Sequence, residues 1–202
     1  MIITYRLGNS LYLNITNKCP CDCVFCIRNS SDGINPGESL WFEEGEPSPD
    51  EILKALKAID FAKEQYQEIV FCGFGEPTMR LDVVIECAAY LRGNKENKNL
   101  PIRLNTNGLS DLINGKETAP LLAAYIDHVS ISLNAPDAAS YNALCLPSFG
   151  EGSHKAIIQF AKDCKSLIAK VTFTILEGTL DKEAFEKCRN LCDSLDIPLR
   201  VR

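Results

Sequence analysis

Residues 11–26 have the sequence LYLNITNKCPCDCVFC, a short β-forming run that passes directly into four closely spaced cysteines. The apolar and β-branched residues of Leu11–Thr16 predict a strand. In parallel α/β folds the functional side chains follow the carboxyl ends of the strands. This stretch therefore predicts the first strand of the fold and, immediately after it, the site. The four cysteines are Cys19, Cys21, Cys23 and Cys26.

The same organisation continues along the chain, where five further β-forming runs alternate with segments of helical apolar spacing. This alternation predicts a parallel sheet covered by helices, which an open doubly wound sheet and a partial (β/α) barrel both satisfy. The other predicted strands are Glu68–Cys72, Ile102–Asn105, His128–Leu133, Val171–Leu176 and Ile197–Val201. The predicted helices are Pro49–Gln65, capped by Ser48, and Leu81–Leu91, Pro120–Ile126, Ser153–Leu167 and Asp181–Leu195.

Composition narrows the class of protein. The chain has 202 residues, which predicts one domain, and 46% of them are apolar. Twenty-one basic against 27 acidic residues give a net charge of −6, which argues against general binding to duplex DNA. The sequence starts without a signal peptide pattern and has no apolar run of the ~18 residues that a membrane span needs. We therefore expect a cytoplasmic protein without membrane association. In such a protein ten cysteines indicate reduced thiols, and clustered ones bind metal more often than they form disulfides.

The cysteine loop allows two ligand sets. Four thiolates this close together satisfy a metal ion or an iron–sulfur cluster. One set uses Cys19, Cys23 and Cys26 and leaves Cys21 as a bystander. The other uses all four for zinc, although single-residue gaps strain a tetrahedral site and zinc usually draws on two separated pairs.

Three further motifs follow successive predicted strands. They are the glycine-rich turn CGFGE at 72–76, the turn NTNG at 105–108 and the segment SLN at 132–134. Each alone is compatible with an ordinary turn. Glycines also let a ligand approach the backbone, and Glu76 offers a carboxylate to an amino group, which we expect to serve binding rather than folding. Because parallel strands end at one edge, the motifs predict a shared ligand.

Here the sequence resembles a known family. The spacing Cys-x3-Cys-x2-Cys over Cys19–Cys26, with Phe25 before the last cysteine, resembles the radical S-adenosylmethionine (radical SAM) superfamily. Gly73–Glu76 is similar to the GGE motif of that superfamily, with a Phe in place of the middle Gly. Ser132 and Asn134 match its ribose and carboxylate positions on the fourth strand. Within the superfamily, the chain most resembles the short TatD-associated radical SAM proteins.

The resemblance covers residues 1–202 and implies a single radical SAM core domain, a partial (β/α)6 barrel with a parallel six-strand sheet. It implies a [4Fe–4S] cluster whose ligands are Cys19, Cys23 and Cys26. It implies that S-adenosylmethionine binds through Gly73, Gly75 and Glu76 at its amine, Asn134 at its carboxylate, Ser132 and Asn105 at its ribose, and Phe25 and Ile175 at its adenine.

The implied reaction is reductive cleavage of SAM to a 5′-deoxyadenosyl radical, which abstracts hydrogen from a substrate. The residues leave three substrate classes open: a peptide or protein, a nucleoside-like molecule, or nucleic acid. The implied partners are a reductant such as flavodoxin or ferredoxin and a TatD-family nuclease. The alternative is a non-catalytic iron–sulfur, zinc-binding or electron-transfer module, which needs only the cysteine loop.

The segment Arg28–Ser48 is too long for an ordinary loop, and its glycines and prolines oppose regular structure. It begins beside the last cysteine of the loop and carries Trp41, the one tryptophan of the chain. It is therefore predicted to form a lid over the site, with a static loop packed on the barrel wall as the alternative.

Overall fold

A computed structural model of the chain describes residues 1–33, 38–95 and 97–202. The described residues form one seven-stranded sheet whose strands lie in the order in which they occur in the chain. The first two strands pair antiparallel, and every later neighbour is parallel. The strands are β1 Thr4–Leu7, β2 Ser10–Leu13, β3 Glu68–Phe71, β4 Ile102–Thr106, β5 His128–Ser132, β6 Lys170–Ile175 and β7 Leu199–Val201.

Six of these strands, β2 to β7, are those that the sequence pattern predicts, and the predicted partial barrel is confirmed. The additional strand β1 forms a hairpin with β2, in which Leu7 pairs with Ser10 across a two-residue turn. Gly8 adopts a φ of +59° there, a backbone conformation that glycine tolerates better than other residues. The sheet is therefore mixed at this edge.

Helices connect the parallel strands. The prediction of one helix over Pro49–Gln65 is wrong. The first helix ends at Lys57, and a second, short helix begins after Asp60, whose side chain caps it. In the described residues no helix is long and apolar enough to cross a bilayer. The helices are α1 Pro49–Lys57, α2 Phe61–Glu64, α3 Leu81–Gly93, α4 Ser110–Asn114, α5 Ala119–Ala123, α6 Ala138–Cys145, α7 Gly152–Leu167 and α8 Lys182–Leu195.

Successive side chains of each strand point to opposite faces of the sheet, and here one face is apolar and the other polar. On β4, Ile102 and Leu104 belong to the buried apolar core. Between them Arg103 points to the other face, where its guanidinium lies 2.7 Å from the Glu68 carboxylate of β3. This inner face is polar along β5 and β6 as well, and it leads to the carboxyl ends of the strands, where the cysteine loop lies.

Substitution of Ser48 by Ala should lower the free energy of unfolding by about 1 kcal/mol. Its hydroxyl accepts from the Glu51 N–H, and the Glu51 carboxylate accepts from the Ser48 N–H, so the change removes half of a capping box. Urea unfolding measures the difference. The matched change Ser194→Ala, near the end of α8, should stay within about 0.5 kcal/mol. Equal midpoints for both variants would contradict the assigned cap.

Candidate functional site

The cysteine loop is held between two parts of the fold. On one side it continues the sheet ladder, since the N–H groups of Gly75 and Glu76 donate to the carbonyl oxygens of Thr16 and Lys18 at 2.9 and 2.8 Å. On the other side it lies against the end of α6, where Val24 N–H donates to a carbonyl at 3.0 Å and Ser148 N–H donates back at 2.8 Å. The chain therefore fixes this loop through its own backbone.

The two glycines of the turn 72–76 make this docking possible. A Cβ on Gly73 would lie 2.0 Å from the amide oxygen of Asn14, and a Cβ on Gly75 would lie 2.5 Å from the carbonyl oxygen of Thr16. Both separations are far shorter than van der Waals contact. The glycines are therefore required by close approach of the protein's own chain, in addition to any role toward a ligand.

Glu76 is buried, with 3% of its surface exposed, and its carboxylate receives four hydrogen bonds. One oxygen accepts from the Thr78 N–H, the Thr78 hydroxyl and the Thr106 hydroxyl at 3.0, 2.8 and 2.8 Å. The other accepts from the Asn107 N–H at 2.6 Å. Burial raises the pKa of Glu76 above its ordinary value, against the lowering effect of these donors. The carboxylate thus joins the turn after β3 to the turn after β4.

One cavity of about 320 Å³ lies where these elements meet. The cysteine loop, the glycine-rich turn and the ends of β4, β5 and β7 all line it. Of the residues predicted to bind the cluster or SAM, the structure brings together at this cavity Cys19, Cys23, Phe25, Cys26, Gly73, Gly75, Glu76, Asn105, Ser132 and Asn134.

Ile175 is the predicted contact that the structure does not bring to this cavity. It belongs to the buried core and lines a separate cavity with Leu180 and Phe185. The next residue, Leu176, lines the candidate site. Successive residues of a strand point to opposite faces of the sheet, so the position that the resemblance assigns to the adenine is one residue away from the position that lines this cavity.

The side chain of Asn134 carries a buried hydrogen-bond acceptor that has no donor in the described residues. Its backbone is left-handed, with a φ of +57°, which asparagine tolerates better than most residues. The side chain is 4% exposed, and its amide nitrogen donates to the sulfur of Cys145 at 3.5 Å. Its amide oxygen has no hydrogen-bond partner among the described residues. A buried oxygen of this kind at a cavity wall is open to a donor from a ligand.

The thiols of the loop differ in their electrostatics. Hydrogen bonds from Cys145 and then Cys21 lower the pKa of Cys23 to about 4. A hydrogen bond from Cys21 also lowers the pKa of Cys19, and the same hydrogen bonds raise the pKa of both donors, Cys21 and Cys145. Thiolates are the form that binds metals. In the described part of the chain, no group of three or more His, Cys, Asp or Glu side chains is arranged to hold a single metal ion.

The segment Arg28–Ser48 starts at the site. The Arg28 guanidinium donates to the sulfur of Cys26 at 3.4 Å and lies 5.8 Å from the ring of Trp41. Trp41 in turn makes an edge contact with Phe74 of the glycine-rich turn, with ring centroids 5.1 Å apart. Residues 34–37, which include Pro36 and Gly37 of the predicted lid, lie outside the described residues. The lid stays a prediction.

Some residues at the site were not predicted. The amide nitrogen of Asn107 lies 3.9 and 3.8 Å from the sulfurs of Cys19 and Cys21. Cys72 also lines the cavity, because it shares the inner face with the other alternate positions of β3. The sequence predicts that the turn NTNG lies at the shared site, but the resemblance assigns a ligand contact only to its Asn105.

Comparison with known proteins places these features in one family. The family model described as "Radical SAM superfamily" matches residues 13–197. GTP 3',8-cyclase of Corynebacterium glutamicum (strain R) is 32% identical over 142 residues, 69% of this chain and 34% of the cyclase. The cyclase of Mycobacterium marinum is 31% identical over 143 residues, 69% of this chain and 35% of the cyclase. The chain thus spans about a third of the length of the curated relatives it matches.

Solved structures show the same fold. Streptococcus suis SuiB bound to the precursor peptide SuiA has a TM-score of 0.65 at 18% identity, covering 93% of this chain and 37% of SuiB. A radical SAM methyltransferase from Sphaerobacter thermophilus has a TM-score of 0.65 at 15% identity, covering 98% of this chain and 68% of the methyltransferase. At these identities the likeness concerns the fold alone.

Replacement of Glu76 by Ala should lower the free energy of unfolding of the ligand-free protein by about 1–3 kcal/mol, because it leaves buried donors of Thr78, Thr106 and Asn107 without their acceptor. Chemical denaturation measures this loss. The control Glu117→Ala changes an exposed carboxylate and should be near neutral. If Glu76→Ala leaves the stability unchanged, Glu76 serves ligand binding and not folding, which is the expectation from the sequence.

Proposed function

The chain belongs to the radical SAM superfamily, and on that premise we propose that it is a radical SAM enzyme that binds a [4Fe–4S] cluster and SAM at the cavity of about 320 Å³. The observation that carries the proposal is the meeting of the cysteine loop, the glycine-rich turn and the ends of β4 and β5 around one space. A protein that only binds a metal needs the cysteine loop alone. That function does not explain why the glycine-rich turn and the ends of β4 and β5 meet at the same cavity. Such a metal module remains the second candidate.

The residues present fit both cofactors. Three thiols with the spacing of Cys19, Cys23 and Cys26 provide three ligands for a cluster and leave one iron without a protein ligand. The unpartnered amide oxygen of Asn134 is available to a donor of SAM, its amine or a ribose hydroxyl. It cannot bind the SAM carboxylate that the resemblance assigns to Asn134, because both groups are acceptors. When bound, the cluster would supply the electron that cleaves SAM to a 5′-deoxyadenosyl radical, which removes hydrogen from the substrate.

The chain itself would orient the cofactors. The backbone contacts of the loop hold the cysteines before any metal arrives, so less order has to be gained on binding. Glu76, Gly73 and Gly75 would lie at the amine of SAM, and Ser132 and Asn105 at its ribose. Phe25, together with Leu176 in place of the predicted Ile175, would contribute apolar contact and exclude water.

The nucleoside-like substrate class is the one we favour, because relatives at 31–32% identity are named GTP 3',8-cyclase. A peptide is the second candidate, supported by the fold shared with SuiB in complex with its precursor peptide. We also propose that residues 1–202 act as one radical SAM core domain and that a flavodoxin or ferredoxin delivers the electron. The placement among TatD-associated proteins, and a TatD-family nuclease as partner, rest on the sequence resemblance.

Anaerobic reconstitution with iron and sulfide, followed by SAM and dithionite, tests the function. We expect release of 5′-deoxyadenosine, measured by liquid chromatography, that depends on both SAM and dithionite. The variant Cys26→Ala is the control and should lose this release, since it removes one cluster ligand. A protein that takes up zinc, lacks a cluster and releases no 5′-deoxyadenosine would instead support the metal module.

Variants of single cysteines distinguish the two ligand sets. Cys21→Ala should keep about the wild-type iron content, because its thiol is buried and lies outside the Cys-x3-Cys-x2-Cys spacing. Cys23→Ala should lose the cluster. Iron and sulfide analysis after reconstitution measures both. Loss of the cluster in Cys21→Ala together with its retention in Cys23→Ala would show that the ligand assignment is wrong.

A further inference from the structure

Two arginines lie on the inner face of the sheet, Arg200 within β7 and Arg202 directly after it, and Arg202 reaches the candidate site. Arg200 pairs in register with Thr174 of β6, which pairs with Ser132 of β5, so the three side chains share one face of the sheet. Arg202 lies two residues further along and therefore points to the same face. Its guanidinium lines the cavity and donates to the Ser132 hydroxyl at 3.0 Å.

These two positive charges lack a compensating acid. The other arginine of the inner face, Arg103, is paired with Glu68 at 2.7 Å. Among the described residues, no ion pair joins Arg200 or Arg202 to a carboxylate, although the chain carries a net charge of −6. Burial lowers the pKa of Arg202, the neighbouring Cys72 raises it, and Arg200 lowers it again, so the two guanidinium groups are close enough to repel each other. An anion between them would remove this repulsion.

We propose that Arg202 and Arg200 bind a phosphoryl group of the substrate at the β7 side of the cavity, an inference that rests on the proposed function. A guanidinium has five N–H donors in a planar fork that matches phosphate oxygens, and the Ser132 hydroxyl engages one of those of Arg202. A phosphoryl group carries up to two negative charges, which matches two unpaired arginines better than a single carboxylate does. The substrate would then be a phosphorylated, nucleotide-like molecule.

The carboxylate of SAM is a second anion that these arginines would attract, so the test must distinguish it from a phosphoryl group. Titration calorimetry under anaerobic conditions would use the full chain, with and without the reconstituted cluster, and inorganic tripolyphosphate, GTP, guanosine and SAM as separate probes. The variants are Arg202→Gln, Arg200→Gln and the charge-preserving Arg202→Lys. The control Arg189→Gln removes the same charge at an exposed position of α8.

We expect tripolyphosphate and GTP to bind more tightly than guanosine. Arg202→Gln should weaken both by about tenfold or more, Arg200→Gln should weaken them less, and Arg202→Lys should retain part of the affinity. Arg189→Gln should leave them unchanged. In Arg202→Gln the loss of tripolyphosphate affinity should exceed any loss of SAM affinity, which is measured as well because Arg202 donates to Ser132. A melting temperature equal to that of the wild type shows that a variant is folded, and if Arg202→Gln unfolds, the other two variants decide.

Equal tripolyphosphate affinity in wild type, Arg202→Gln and Arg200→Gln would overturn the proposal, as would the absence of binding. Weaker SAM binding with unchanged tripolyphosphate binding in Arg202→Gln would assign the arginine to SAM and overturn it as well. Failure of this proposal and failure of the proposed function give different results. Phosphate binding is measured on the cluster-free chain too, whereas failure to form 5′-deoxyadenosine in a chain that still binds tripolyphosphate contradicts the enzyme assignment alone.

Discussion

The carboxylate of Glu76 is the interaction on which the arrangement of the site depends. A buried carboxylate is costly unless donors surround it, and here four donors from two successive strand ends do so. The backbone N–H of the same residue holds the cysteine loop through Lys18. One residue thus links the cysteine loop with the turns after β3 and β4. The cavity lies between these three elements, so its shape follows from this network.

The cysteine loop shows how neighbouring residues of one type acquire different properties. Cys21 is buried, and its thiol donates to the thiolates on either side of it, Cys19 and Cys23. Cys145 comes from α6, far away in sequence, and supplies the first of the donors to Cys23. The pKa is lowered for Cys19 and Cys23 and raised for Cys21, so the loop contains thiols of two kinds, which a count of cysteines alone does not separate.

Much of the fold and part of the site could be predicted from the sequence, and the misses have physical causes. Apolar periodicity located the six parallel strands, because each lies on a helix-covered core. The same periodicity missed the break after Lys57, which depends on a side-chain cap at Asp60. The resemblance assigned Ile175 to the adenine, whereas the alternation of side chains along β6 places Leu176 at the cavity. The anchoring of Glu76 depends on contacts between distant turns that no local pattern records.

In the proposed enzyme, the cluster and SAM share the cavity at the carboxyl ends of the strands. Electron paramagnetic resonance of the reconstituted, dithionite-reduced protein, recorded with and without SAM, tests this shared site. We expect the signal of a reduced [4Fe–4S] cluster and a change of its g values on addition of SAM, because SAM would bind next to the iron that has no protein ligand. A cluster signal that SAM leaves unchanged, or the absence of any cluster signal, would show that the two do not share this cavity.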